Sequence, residues 1–174
     1  MSDYKQSELS TWYEEHSASI FKYICMMTHD YQLAEDLTHD TFIKAYKYFD
    51  SFEGKASPKT WLFRIAHNVT IDYIRKQKPL NFLKEIIFSK GDAGPSAEEM
   101  VEIKENSKEL YEALSKLNQS YREVIILRKI KGFSIQETKE ILNWSESKVK
   151  TTLYRALPAL EEQLVKGGFL DEAR

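Results

Sequence analysis

Between residues 61 and 78 the sequence carries side chains that suit binding to single-stranded nucleic acid. An indole can stack on unpaired bases, while guanidinium, ammonium and amide groups can hold a sugar–phosphate backbone. On a helical wheel these groups share one flank, which consists of Trp61, Arg64, Asn68 and Arg75, followed by Lys76 and Lys78. The structural alternative is that Trp61 packs into a core and that the cations are merely solvated.

A second pattern, near the C-terminus, is typical of a helix-turn-helix. Ser134 and Glu137 have the spacing of a capping box, which predicts a short helix over about 135–142. Asn143-Trp144 then forms a turn, and Ser145 can cap the next helix. The exposed face of that helix suits a major groove and consists of Ser147, Lys148, Thr151, Tyr154 and Arg155. An ordinary helical hairpin with a solvated face would show the same spacing.

Residue types that would perform catalysis are scattered. The four histidines, His16, His29, His39 and His67, fall on separate predicted helices, and there is no glycine-rich phosphate loop. Cys25 is the single cysteine, so no internal disulfide can form, and no Cys/His group has zinc-ligand spacing. We therefore expect no enzyme activity, no metal and no cofactor. A reducing cytoplasmic setting is expected, because neither a leader nor an apolar run long enough to span a membrane is present.

The net charge of −2 conceals alternating acidic and basic blocks. Residues 1–54 carry 4 basic and 10 acidic side chains, whereas residues 55–90 carry 8 and 2. Residues 91–125 carry 4 basic and 8 acidic side chains, and residues 126–158 carry 7 basic and 3 acidic ones. Two separated basic surfaces are therefore predicted, as on a protein that holds a polyanion at two places.

Apolar periodicity predicts an all-α fold of two small helical domains joined by a flexible linker. The first helix buries a face from Leu9 to Met27, and the second a face from Leu33 to Phe49. Ser57-Pro58 predicts the start of a third helix, which we expect to end near Gln77. Leu62, Ile65, Ala66, Val69 and Tyr73 are its predicted buried side. The last helix is expected to bury Val149, Leu153, Ala156 and Leu157.

Three passages in this order resemble the extracytoplasmic-function (ECF) sigma factors of bacterial RNA polymerase, and the C-terminal passage is similar to their bacillar X type. Ala34–Tyr46 is similar to region 2.2 of that family, and Thr60–Lys76 is similar to region 2.4. Phe133–Ala156 is similar to region 4.2. The resemblance implies a sigma region 2 domain over 5–78, a linker over 79–105, a region 4 helix-turn-helix domain over 106–166 and a tail over 167–174.

The resemblance also implies which residues bind which partner. Contacts with the β′ clamp of core RNA polymerase are expected from Glu35, Asp36, His39, Asp40, Phe42 and Ile43. Reading and opening of the −10 promoter element is expected from Phe52, Lys55, Ser57, Lys59, Trp61, Arg64, His67, Asn68, Arg75 and Lys76. Duplex reading at the −35 element is expected from Ser134, Ser145, Ser147, Lys148, Lys150, Thr151, Tyr154 and Arg155.

On this resemblance the protein directs core polymerase, through its β′ clamp and β flap, to the promoters of a stress or envelope-response regulon. The resemblance also implies an anti-sigma factor that covers these faces. It implies no direct insertion of the protein into a membrane. The alternative is a stand-alone helix-turn-helix regulator that binds duplex DNA without polymerase. Two residues depart from the family pattern. His39 replaces the usual glutamine, and Pro158 is expected to kink or end the last helix.

Overall fold

The computed structural model describes residues 2–87 and 105–170, with side chains for residues 2–77 and 108–170. Every regular element within these ranges is helical, so the all-α prediction is confirmed. The chain divides into two compact units, Met1–Gly94 and Pro95–Arg174. None of the described helices is long and apolar enough to cross a membrane. The helices are α1 (Ser2–Thr28), α2 (Tyr31–Lys47), α3 (Pro58–Ile87), α4 (Glu105–Ser115), α5 (Gln119–Ile125), α6 (Ile135–Leu142) and α7 (Glu146–Lys166).

The N-terminal unit is a bundle in which α1, α2 and α3 pack against one another. His29, at φ 56°, ends α1, and the Asp30 carboxylate caps α2 by accepting a hydrogen bond from the Leu33 amide at 3.0 Å. The largest fully buried side chains of the N-terminal unit are Ile20, Tyr23, Ile24, Met27, Leu62 and Phe63. Burying aromatic and branched side chains supplies most of the free energy that holds such a small unit together.

The start of α3 was predicted, whereas its end was not. The Ser57 hydroxyl accepts a hydrogen bond from the Thr60 amide at 3.1 Å, as the Ser57-Pro58 pair predicts. The predicted end near Gln77 is wrong, because α3 continues through Pro79 to Ile87. A proline within a helix removes one amide hydrogen bond and can kink the helix without ending it. Residues 88–104 of the predicted linker lie outside the described residues.

In the C-terminal unit, α4 is followed by α5 and a π-helical segment, Ile126–Ile130. The Arg122 guanidinium donates to the carbonyls of Leu114 at 3.0 Å and Leu117 at 2.8 Å, at the C-terminal end of α4. The Leu114 carbonyl also accepts from the Leu117 amide at 3.1 Å, so Arg122 adds a side-chain donor that fixes the turn between the two helices. Gly132, at φ 74°, follows the π-helical segment in a conformation that favours glycine.

The helix-turn-helix has the caps that were predicted for it. The Glu137 amide donates to the Ser134 hydroxyl at 3.0 Å, and the Ser134 amide donates to the Glu137 carboxylate at 2.8 Å. Asn143, at φ 58°, forms the turn, and the Ser145 hydroxyl caps α7 by accepting from the Lys148 amide at 3.1 Å. The bounds of α6 match the predicted 135–142.

Loss of the Ser134 cap should lower stability measurably. We expect Ser134→Ala to reduce the free energy of unfolding by about 1 kcal/mol, because the Glu137 amide loses its hydrogen-bond acceptor. Urea unfolding followed by circular dichroism measures the change. Ser120→Ala, at an exposed position of α5, is the matched control. Equal stability of the two variants would contradict the capping role.

Pro158 was expected to kink or end the last helix. It does not end the helix, since α7 continues to Lys166. Pro158 is exposed, so water can solvate the carbonyl that loses its amide partner. The predicted buried stripe is also narrower, because Val149 and Ala156 are fully buried while Leu157 is 37% exposed.

Candidate protein and nucleic-acid interfaces

One face of α2 combines acidic side chains with exposed apolar ones. Four of the residues predicted to bind polymerase are exposed carboxylates or imidazole: Glu35, Asp36, His39 and Asp40. Ile43, on the same face, is an apolar side chain that is 64% exposed. Tyr46, three residues further along α2, is 48% exposed and was not predicted. Its i+3 spacing from Ile43 was the signal that could have found it.

Phe42 does not belong fully to that face. Its ring lies 4.8 Å from the ring of Tyr13 in an edge-to-face arrangement, and the side chain is half-buried between α1 and α2. A ring held in this way contributes to the packing of α1 against α2. Of the six residues predicted for polymerase contact, Phe42 is therefore the one that the fold also uses internally.

A groove lies beside Ile43, between α2 and α3. It contains acidic and basic groups at an apolar floor and is lined by Leu37, Asp40, Ile43, Lys44, Val69, Asp72, Tyr73 and Lys76. Mixed charge around an apolar centre is the usual composition of a protein-binding surface. The face of α2 and this groove are continuous through Asp40 and Ile43, which belong to both.

The loop before α3 is held by aromatic rings. Phe52 and Trp61 are half-buried, with their ring centres 5.2 Å apart. Trp12 of α1 lies 5.3 Å from Phe52 and 6.1 Å from Trp61. The predicted exposed position of Trp61 is therefore wrong, because its ring packs edge-on against Trp12.

The polar part of the predicted −10 surface is exposed along α3. Arg64, Asn68, Arg75 and Lys76 all face solvent. In the preceding loop, Lys55 is exposed and pairs with Glu53 at 2.8 Å, and the Ser57 hydroxyl is engaged as a helix cap. Lys59 is half-buried. A surface ion pair such as that of Lys55 is weak, so this lysine can exchange Glu53 for a phosphate.

His67 was predicted to contact DNA, and the structure contradicts this. Its side chain is 7% exposed, and its Nδ1 atom lies 3.2 Å from the Tyr23 hydroxyl in a buried hydrogen bond. Burial lowers the pKa of His67 to about 4, although the charge of Asp72 opposes this shift. A buried neutral imidazole cannot pair with a phosphate, so His67 belongs to the core of the N-terminal unit.

The predicted recognition face of α7 is exposed. Tyr154 is 81% exposed, and Ser147, Thr151 and Arg155 also face solvent. The Lys148 ammonium lies 4.3 Å from the centre of the Trp144 ring. Lys150 pairs with Glu146 at 2.7 Å, which offsets the one carboxylate near this face. The hydroxyls of Ser134 and Ser145 accept from backbone amides and retain a hydrogen to donate.

Arg128 is a further candidate, which was predicted only as part of the basic block of residues 126–158. It lines a groove at the start of α6 together with Ser134, Gln136 and Glu146. The Arg128 guanidinium donates to the Phe133 carbonyl, which fixes the side chain beside the amides of the first turn of α6. Helix amides and a fixed cation together favour an anion such as a phosphate. The position of Arg128 shortly before Gly132 was the sequence signal that could have indicated this role.

A buried carboxyl lies behind the recognition helix. Glu123 of α5 is 3% exposed, and its carboxylate accepts a hydrogen bond from the Gln119 amide nitrogen at 3.0 Å. Burial raises the pKa of Glu123 to about 7, while the Gln119 hydrogen bond and the charges of Lys148 and Arg122 oppose this. Glu123 therefore titrates near neutral pH.

This shift predicts a pH-dependent stability. Between the ordinary value of 4.5 and about 7, folded Glu123 holds a proton that the unfolded chain releases, so the free energy of unfolding falls as pH rises. We expect Glu123→Gln to be more stable than the unmodified protein by about 1–2 kcal/mol at pH 8 and equal to it near pH 4.5. Urea unfolding at several pH values measures this, with the exposed Glu112→Gln as control. If the free energies of unfolding of Glu123→Gln and of the unmodified chain changed with pH in parallel, the raised pKa of Glu123 would be contradicted.

Comparisons with known proteins cover both units. Residues 12–79 match the family model of sigma-70 region 2, and residues 107–160 match that of sigma-70 region 4. The chain is 36% identical over 157 residues to the ECF RNA polymerase sigma factor SigX of Bacillus subtilis, covering 87% of this chain and 81% of that protein. It is also 36% identical to the RNA polymerase sigma factor YlaC of Bacillus subtilis, covering 88% and 90%.

Among solved structures, the fold is similar to the sigma factor RpoE of Bartonella quintana, which was crystallised with the anti-sigma factor NepR. The TM-score is 0.72 and the sequence identity is 27%, and the match covers 95% of this chain and 98% of that one.

Proposed function

The chain belongs to the ECF sigma factors, and from this premise we propose that it binds core RNA polymerase and directs it to promoters with defined −10 and −35 elements. The observation that carries the proposal is the exposed α2 face, in which Ile43 lies among carboxylates, on the same chain as an exposed polar face of α7. A repressor needs only the second of these surfaces. A sigma factor needs both.

The N-terminal domain, residues 5–78, docks on the β′ clamp of polymerase through Glu35, Asp36, His39, Asp40 and Ile43. Ile43 supplies the apolar centre of this contact, and Tyr46 extends it. The carboxylates select a partner surface that carries arginine or lysine. Phe42 acts mainly by holding α1 against α2 through Tyr13. The acidic character of residues 1–54 fits a protein-binding role better than a role on DNA.

The −10 element is opened and held by α3 and the loop before it. Phe52 and Trp61 form an aromatic wall on which a flipped base can stack, and their contacts with Trp12 keep that wall rigid. Arg64, Asn68, Arg75 and Lys76 hold the backbone of the opened strand, with Lys55 and Lys59 beside them. Unstacking a base costs a few kcal/mol, which these contacts must offset.

The C-terminal domain, residues 106–166, reads the −35 element as duplex. Ser147, Lys148, Thr151, Tyr154 and Arg155 enter the major groove, while Ser134, Ser145, Lys150 and Arg128 contact phosphates. Arg155 is suited to guanine, because a guanidinium can donate to the guanine O6 and N7 atoms together. The same domain meets the β flap of polymerase.

The protein acts in the cytoplasm, where its polymerase is, and catalyses no reaction itself. An anti-sigma factor controls it by covering the polymerase-binding and DNA-binding faces, and its regulon answers stress or envelope damage. The similarity to RpoE, which is seen in complex with NepR, supports control of this type.

Binding to duplex promoter DNA with and without core polymerase tests this function against the repressor alternative. We expect specific binding to require both proteins, since the affinity of the C-terminal domain alone should be close to that for unrelated DNA. A mobility-shift assay at fixed salt concentration measures this. Tight, sequence-specific binding by the chain alone would favour the repressor.

A further inference from the structure

Lys5, in the first turns of α1, contacts two other elements at once. Its Nζ atom lies 4.3 Å from the centre of the Tyr46 ring in α2. The same atom lies 3.8 Å from the Asp50 carboxylate, in the short 3₁₀ turn Phe49–Ser51 that leads into the loop before α3. Lys5 is therefore shared between the helix proposed to bind polymerase and the segment proposed to hold the −10 strand.

The lysine is held in place, although its partners are exposed. The Lys5 side chain is 17% exposed, whereas that of Asp50 is 86% exposed. The Lys5 ammonium also lies 5.9 Å from the centre of the Phe49 ring. A cation above an aromatic face gains more when it is partly removed from water, as it is here. Asp50 alone would hold Lys5 weakly, since exposed ion pairs contribute little.

The contacts of Phe49 extend this arrangement toward the −10 surface. Tyr4 meets Phe49 edge-on at 6.4 Å, and Trp12 lies 5.5 Å from Phe49 and 5.3 Å from Phe52. Phe52 in turn contacts Trp61 at 5.2 Å. A continuous row of packed rings thus runs from the first turns of α1 to the start of α3, and Lys5 joins it to Tyr46.

We propose that Lys5 is a positioning residue that couples polymerase docking at the α2 face to the orientation of the −10 loop. When polymerase covers Tyr46, the ring is fixed and water leaves its face, so the Lys5 ammonium is held more firmly over it. Asp50 and Phe49 are then held more firmly through Lys5, in the position from which the loop captures the strand. This inference rests on the proposed sigma function. Lys5 itself touches neither polymerase nor DNA.

The test separates docking from strand opening. The full chain is prepared unmodified and as Lys5→Met, Lys5→Arg and Lys22→Met. Methionine keeps most of the side-chain length without the charge, arginine keeps the charge, and Lys22 is an exposed lysine of the same helix. Two quantities are measured: the affinity for core polymerase, and the permanganate reactivity of −10 thymines per bound holoenzyme on a mapped promoter.

We expect Lys5→Met to lower strand opening per bound holoenzyme about three- to tenfold while polymerase affinity changes less than about twofold. Lys5→Arg should recover most of the opening, and Lys22→Met should match the unmodified protein. Adding Asp50→Asn to Lys5→Met should lower strand opening per bound holoenzyme little further, because the two side chains act together.

Normal opening by Lys5→Met would overturn the inference. An equal loss of opening in Lys5→Arg, or a loss fully explained by weaker polymerase binding, would also overturn it. Failure of the unmodified protein to open any promoter with polymerase would instead overturn the proposed function, so the two failures are distinguishable.

Discussion

Replacing Ile43 with aspartate is expected to lower the affinity for core RNA polymerase about a hundredfold. Ile43 is 64% exposed on the α2 face, between carboxylates and the exposed Tyr46, which is the position of an apolar anchor that becomes buried on binding. Aspartate would carry an unpaired charge into that contact, and desolvating it is costly. The exposed carboxylates of Asp36 and Asp40 on the same face would add repulsion.

The matched control is Ala18→Asp, which adds the same charge at an exposed position of α1. Affinities measured by fluorescence anisotropy with a labelled chain should separate the two variants, while their thermal unfolding should be similar. If Ile43→Asp binds polymerase as well as Ala18→Asp does, the α2 face is not the docking surface.

Replacing Arg155 with alanine should reduce transcription from a −35-dependent promoter about ten- to hundredfold, with polymerase affinity unchanged. Arg155 is exposed on the recognition face beside Tyr154, where a guanidinium can make two hydrogen bonds to one guanine. Losing such a paired contact removes discrimination of about 1–3 kcal/mol at that base pair.

Comparing intact templates with templates mutated at single −35 positions shows which base pair accounts for this loss of transcription. Transcription with the unmodified chain should fall sharply on the template in which the base pair contacted by Arg155 is changed, whereas Arg155→Ala should use that template and the intact one alike. Lys116→Ala, at an exposed position directly after α4, is the control for general loss of positive charge. Retention of the same −35 preference by Arg155→Ala would contradict the assignment.

The features that the sequence predicted well are local ones. Ser57, Ser134 and Ser145 each cap a helix through a backbone amide three residues ahead, so type and spacing alone indicate the helix start. The exposed face of α7 follows from helical periodicity in the same way. Prolines misled the prediction of helix ends, because Pro79 and Pro158 each lie within a continuous helix.

The positions that were predicted wrongly depend on distant parts of the chain. A helical wheel places Trp61 and His67 relative to α3 but does not say which neighbour covers them. Trp12 covers Trp61, and Tyr23 meets His67 from a helix 44 residues earlier in sequence. Glu123 could not be recognised as buried for the same reason. Contacts between helices decide these cases, and one sequence does not display them.

Run-off transcription with purified bacterial core polymerase, the full chain and fragments of the host genome distinguishes a sigma factor from a repressor. We expect discrete transcripts that need both proteins, with start sites preceded by shared −10 and −35 sequences. We also expect that Ile43→Asp abolishes these transcripts and that Ala18→Asp does not. An absence of transcripts, together with sequence-specific duplex binding by the chain alone, would contradict the sigma function.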